Sequence, residues 1–167
     1  MKHNSRAPGH ADTVVAVDTD IPSLLLPIDG NIPLLLPSVS IAEIIHYNAP
    51  QPVLNAPDWL LGSITWRTLE VPLLSFERLN GQTLPQISPK CHVAVLNNTG
   101  ISSTLPFIAI VIQNIPHLLR VSSADIREEE NTPLPPMALL MVTVEGERAL
   151  IPKTAALEQA YCDYLQG

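Results

Sequence analysis

The sequence predicts an all-β protein with a few short helices, and three observations carry that prediction. Seventeen of its 167 residues are proline, about a tenth, roughly twice the usual level, and proline removes a backbone donor and breaks helix interiors. Val, Ile, Leu and Thr gather in short runs, as they do in strands. Turn signals separate these runs at spacings of roughly 8–12 residues, the pattern of a barrel or sandwich. Apolar residues make up 46% of the chain, enough to build a core and to exclude a disordered polypeptide.

Taken in order, residues 1–20 read as a mobile tail in which Val14-Val15-Ala16-Val17 could pair as an edge strand. Residues 23–28 and 32–36 form two strands around Asp29-Gly30-Asn31, where Asp-Gly supplies the positive φ of a tight hairpin. Ser40-Ile41-Ala42-Glu43 has capping-box spacing, with Val39 and Ile44 placed as a hydrophobic staple, and predicts a short helix over 41–46. Residues 48–57 are a proline-rich loop. Pro57-Asp58-Trp59-Leu60-Leu61-Gly62 reads as one helical turn opened by proline and closed by glycine.

Strands follow at 63–67, 70–76, 91–97, 106–112 and 118–121, then at 137–144 and 148–151 around Glu145-Gly146-Glu147. Residues 128–136 form a charged, proline-rich loop between them. Residues 153–165 are the one sizeable helix, with Leu157, Tyr161, Tyr164 and Leu165 on a common face.

Composition narrows the function. Sixteen acidic against nine basic residues give a net charge of −7, which disfavours a phosphate backbone as partner. The longest apolar runs, such as 107–112, fall far short of the roughly 20 residues that cross a bilayer. The start Met1-Lys2-His3-Asn4-Ser5-Arg6 is basic with no apolar segment after it, so no export signal is read and the cytoplasm is expected. Cys91 and Cys162 lie far apart without metal spacing and are expected as free, mostly buried thiols.

Catalytic patterns are missing. No spacing of the seven glycines makes a phosphate-binding loop, and no GxSxG elbow is present. His3, His10, His46, His92 and His117 form no HxxxH or HExxH pair for zinc. Glu128-Glu129-Glu130 reads as a solvated run. Cys91 and His92, as strand neighbours, point to opposite faces. The sequence therefore predicts no enzyme, no cofactor and no metal. Trp66 and Arg67, at a hairpin tip, read either as core plus exposed turn or as an interface, since both types are frequent at binding hot spots.

The order of these signals resembles the CheW-like domain, the bacterial chemosensory coupling module. Ile41-Ala42-Glu43-Ile44 matches its V-x-E-I helix motif, and Pro57-Asp58-Trp59-Leu60-Leu61-Gly62 its Pro…W-L-x-G turn. Thr65-Trp66-Arg67-Thr68-Leu69-Glu70-Val71-Pro72 matches its N-x-R-G-x-x-x-P hairpin. The likeness spans roughly residues 22–165. It implies one CheW-like domain over 21–167: two small five-stranded SH3-like barrels, about 22–82 and 90–152, a groove between them and a helix at 153–165.

The resemblance further implies a non-enzymatic adaptor joining the cytoplasmic tip of a methyl-accepting chemoreceptor to a CheA-type histidine kinase. Its proline-rich composition and Trp-Arg pair look most like the branch that governs type IV pilus twitching motility. Ile41, Glu43, Ile44, Trp66 and Arg67 are the implied protein-binding residues. Thr68 stands where the family has glycine, and Gln113 where it has aspartate; a turn requiring positive φ would have to change at Thr68. Burying a Leu or Ile anchor contributes roughly 1.5–3 kcal/mol and an exposed ion pair about 0–1. Apolar residues such as Ile41 are thus expected to dominate affinity while Glu43 and Arg67 orient the partner. The alternatives are an accessory regulator that occupies the kinase without receptors, and a small-ligand-binding β-barrel.

Overall fold

Two of the apolar runs, HVAVLN and FIAIVI, are buried along almost their whole length, as befits strands covered on both faces. They sit at the heart of a computed structural model, which describes residues 19–167. The eleven strands are β1 (Ile21–Leu26), β2 (Leu34–Pro37), β3 (Ile41–His46), β4 (Leu60–Trp66), β5 (Leu69–Leu74), β6 (His92–Asn97), β7 (Phe107–Ile112), β8 (His117–Val121), β9 (Ile126–Glu128), β10 (Ala138–Val144) and β11 (Glu147–Pro152). Helix α1 is Phe76–Leu79 and helix α2 is Thr154–Gln166.

The strands form two sheets, in the orders β3-β6-β7-β5-β4 and β8-β1-β2-β11-β10-β9. Pairing is antiparallel except at β5–β7 and β2–β11. The division differs from a split of the chain into first and second halves. Residues 41–112 supply the whole five-stranded sheet, whereas β1 and β2 leave the first half to join β8–β11. Tight turns fix only local hairpins; the parallel pairings are non-local and carry no spacing signal. The second sheet also has six strands, because the short β9 pairs with β10. The predicted tail and its valine run fall mainly outside the described residues.

Each sheet buries both faces. The inner face of the five-stranded sheet packs Trp66, Val71, Leu73, Cys91, Val93, Val95, Ala109 and Val111. The six-stranded sheet encloses a smaller group around Leu35, Leu119, Val142 and Val144. Between the sheets lies the largest cluster, including Leu26, Leu34, Phe76, Leu96, Ile108, Ile110 and Met141, with Leu157 of α2 sealed into it. The expected groove is thus largely filled by shared core. A cleft of about 270 Å³ remains at its border, floored by Phe76, Met141 and Leu150 and rimmed by Asp29 and Asn80.

Two polar clasps hold the shared core's rim. The buried Glu77 carboxylate accepts from the backbone N–H of Asp29 and from the Ser75 hydroxyl, while Asn80 Oδ1 accepts from the Met137 N–H. In α2, the buried Glu158 accepts from both the backbone N–H and the hydroxyl of Thr99, each at 2.7 Å. Leu165 is 62% exposed and lies off the packed stripe of α2. Both cysteines are free, Cys91 buried and Cys162 partly so.

Candidate functional site

The helix predicted over 41–46 is strand β3. Three isoleucines in six residues favour extended backbone, and the capping box goes unused. Ser38–Ser40 form a 3₁₀ turn with no side-chain cap, closed by the Ile41 N–H on the Ser38 carbonyl. Val39 is 82% exposed rather than stapled, and the Glu43 carboxylate is engaged elsewhere. The predicted turn at 57–62 is realised only at its start, where the Leu60 N–H reaches the Pro57 carbonyl at 3.1 Å; β4 then begins. Gly62 is not a helix cap but follows the bulge at Leu61, at φ 142°, where a Cβ would collide with the Gln51 carbonyl.

A bulge in β3 decides which predicted site residues meet. Ile41 pairs with Leu96, but Glu43 pairs with Val95, leaving Ala42 as the extra residue. Direct partners share a face. Ile41 and Ile44, opposite Leu96 and Ala94, therefore turn toward the shared core, which they cover while half-buried. Glu43, opposite Val95, turns to the inner face of its own sheet, where Trp66 lies.

Glu43, Trp66 and Arg67 come together. The Trp66 indole Nε1 donates to Glu43 Oε2 at 2.5 Å, and the Arg67 guanidinium lies 4.7 Å from the centre of the Trp66 ring, within cation–π range. Arg67 Nε stands 3.7 Å from the same carboxylate oxygen. Phe107 meets Trp66 edge-on at 4.7 Å between centroids. Trp66 is only 6% exposed, so it is a core residue with one polar handle, and it supports Arg67, whose side chain is 67% exposed. The sequence reading missed Phe107; its place opposite Asn97 in β6–β7 follows from a register that no local signal reveals.

The turn beneath Arg67 keeps its geometry despite Thr68. Arg67 and Thr68 have φ of 46° and 68°, the left-handed pair that a two-residue hairpin of this hand requires. The departure from glycine is absorbed as backbone strain, not as a changed turn. Gln113 donates its backbone N–H to the Pro27 carbonyl at 2.8 Å, tying β7 to β1, and its side-chain oxygen lies 3.9 Å from the Cys91 thiol.

The border strand β4 is tied twice to the segment formed by β3 and the loop that follows it. The Glu43–Trp66 bond joins β3 to β4 at one end, and a two-bond bridge joins Gln51, in the loop after β3, to Ser63 of β4 at the other. Between lies a cleft of about 260 Å³ lined by Ile45, His46, Asn48, Gln51, Thr65 and Glu70, among others. Glu70 accepts from the Thr65 and Ser63 hydroxyls at 2.6 and 3.0 Å; these donors hold its carboxyl below the ordinary range. On the far sheet, Leu118 pairs with Leu24 and is 72% exposed, extending apolar surface along the β8 border.

Among the described residues, no group of three or more His, Cys, Asp or Glu is arranged to hold a metal ion, and no helix is long and apolar enough to cross a membrane. The fold is a pair of curled sheets fused through a common apolar layer, with half-buried isoleucines and Glu43 on one border strand and Arg67 at the adjoining β4–β5 turn. The chain belongs to the CheW-like domain family, which matches it over residues 23–160. Its fold is similar to that of the scaffolding protein TtCheW from Thermoanaerobacter tengcongensis, with a TM-score of 0.68 and 10% identity over 81% of this chain and 90% of that one. Comparison with curated proteins gives no match.

Proposed function

We propose that the chain is a non-enzymatic cytoplasmic adaptor of a bacterial chemosensory system, joining a methyl-accepting receptor tip to a CheA-type histidine kinase. The observation that carries the reading is the state of β3. One strand, in a chain of this family, offers half-buried isoleucines on one face and the Glu43–Trp66–Arg67 group on the other. Adaptor recognition needs apolar anchors and a few orienting charges, and β3 together with the neighbouring β4–β5 turn supplies both. Ile41 and Ile44 are the anchors, Glu43 and Arg67 the orienting pair, and Trp66 the buried support that fixes Arg67. Within this class we assign the chain to the type IV pilus branch, on the proline-rich composition and the Trp-Arg pair.

The test is co-sedimentation of the purified chain with receptor-tip assemblies and a CheA-type kinase from the same organism. Pelleting with both supports the reading. Pelleting with the kinase alone makes the chain an accessory regulator, and pelleting with neither overturns both versions. Ile41→Asp is expected to weaken pelleting about tenfold or more, the equivalent of losing roughly 1.5–3 kcal/mol of apolar anchoring, while circular dichroism stays native. A collapsed spectrum would make Ile41 a core residue. Deleting the gene should abolish twitching if the pilus assignment is right and leave it intact if wrong.

A further inference from the structure

His46 ends β3 and His92 begins β6, and the two are direct partners in the antiparallel register. Their imidazole centroids lie 4.7 Å apart at an interplanar angle of 36°. No motif scan finds such a pair, because its members are brought together across strands rather than along a helix. His92 is 8% exposed, and its Nδ1 sits 2.7 Å from the Lys90 carbonyl oxygen. A carbonyl only accepts, so Nδ1 carries a proton, and in the neutral ring Nε2 is the nitrogen left with a lone pair. Among the described residues that Nε2 has no hydrogen-bond partner, and neither has the ring of His46.

A backbone carbonyl that fixes one ring nitrogen and leaves the other bare is the arrangement that orients histidine toward metals. His46 is exposed and borders the 260 Å³ cleft that also holds Asn48, Gln51, Thr65 and Glu70. That cleft, which His92 does not line, gives water access on the His46 side of the pair. The Glu70 carboxylate, held by Ser63 and Thr65, adds a fixed negative charge on the cleft wall. As direct cross-strand partners the two imidazoles leave the same face of the sheet, the placement in which one ion can take a bond of about 2.0–2.1 Å from each.

We propose that His46 and His92 form a two-histidine site for a late first-row divalent cation, with water filling the remaining positions. Imidazole nitrogen suits Zn²⁺, Ni²⁺ and Cu²⁺, whereas Mg²⁺ and Ca²⁺ seek oxygen. The site lies at the end of β3, three residues beyond Glu43, and is independent of the adaptor reading.

The test is calorimetric titration of Zn²⁺ into the untagged full chain near neutral pH, with His3 and His10 replaced by Ala so that residues 1–18 contribute no imidazole. One saturable Zn²⁺ per chain is expected, weakened at least about tenfold by His46→Gln, with Mg²⁺ giving no heat. Ring-nitrogen NMR should show the His46 and His92 signals moving together while His117 stays still. His92→Gln should match His46→Gln; if it fails to fold, His46→Gln, at an exposed position, decides. Absence of saturable Zn²⁺ binding, affinity unchanged in His46→Gln, or unmoved His46 and His92 signals would overturn the site.

Discussion

Thr68 holds a backbone conformation that costs an L-residue roughly 1–2 kcal/mol, at φ 68° beside Arg67 at 46°. Strain of this kind persists only where surroundings enforce it, and here the two-residue connection between the paired Trp66 and Leu69 does so. Thr68→Gly should therefore stabilise the fold by about 1 kcal/mol in urea denaturation, net of the entropy glycine adds to the unfolded chain; a loss of stability would show the turn is not strained. Glu43 has the opposite character. Glu43→Ala leaves a buried indole N–H without an acceptor and should cost about 1–3 kcal/mol, whereas Glu43→Gln keeps an acceptor and should cost less than about 1. Equal losses in the two variants would mean that charge, not the indole bond, is what matters. Trp66 and Arg67 were legible in the sequence as a notable pair. Their division into buried support and exposed cation was not, because it depends on a carboxylate 23 residues earlier in the chain.

Strand β3 shows how an element can contradict its own local signals. The capping-box spacing at Ser40–Glu43 is genuine, but the gain from a cap, about 1 kcal/mol, is outweighed by pairing along β6 and by the isoleucines that cover two cores. Most strands and α2 could be read from apolar runs and turn residues. The three-residue β9 and the four-residue α1 could not, since neither is long enough to show a period. Gly62 likewise looks like a cap in sequence and proves to be the point where Gln51 bridges to β4. Gly62→Ala should cost about 2–4 kcal/mol, combining a backbone clash with an unfavourable φ; a neutral result would imply that the 48–57 loop yields freely. In α2, Glu158→Ala removes two charge-assisted bonds to Thr99. It should cost about 2–3 kcal/mol and speed amide exchange across residues 97–106, and unchanged exchange there would deny the clasp.

At the scale of the whole molecule, acid should loosen the fold through its paired carboxylates. The Arg148 guanidinium, bonded to Glu129 at 2.8 Å, lowers that carboxyl below the ordinary 4.5, with Thr143 and Thr132 adding donors. Hydrogen bonds from Thr65 and then Ser63 lower Glu70. Carboxyls depressed in the folded state contribute stability that is complete above their unfolded values and is lost as pH falls through the folded ones. Midpoints of unfolding should therefore decline below about pH 4.5, and the decline should be shallower in Glu129→Gln combined with Glu70→Gln. An unaltered slope would assign it to other groups. The all-β character and the family likeness were visible in composition and motif order. The partition of strands between sheets was not, because it depends on contacts between distant segments.

The nesting of one sheet within the other also sets a timetable for synthesis. Once Ile112 has left the ribosome, every strand of the five-stranded sheet is available to pair. The β1–β2 hairpin, made first, must wait until residues 117–152 emerge before β8 and β11 can cover its edges. Until then it carries an unsheltered leucine-rich surface, the kind of surface that chaperones capture and that drives aggregation when translation stalls.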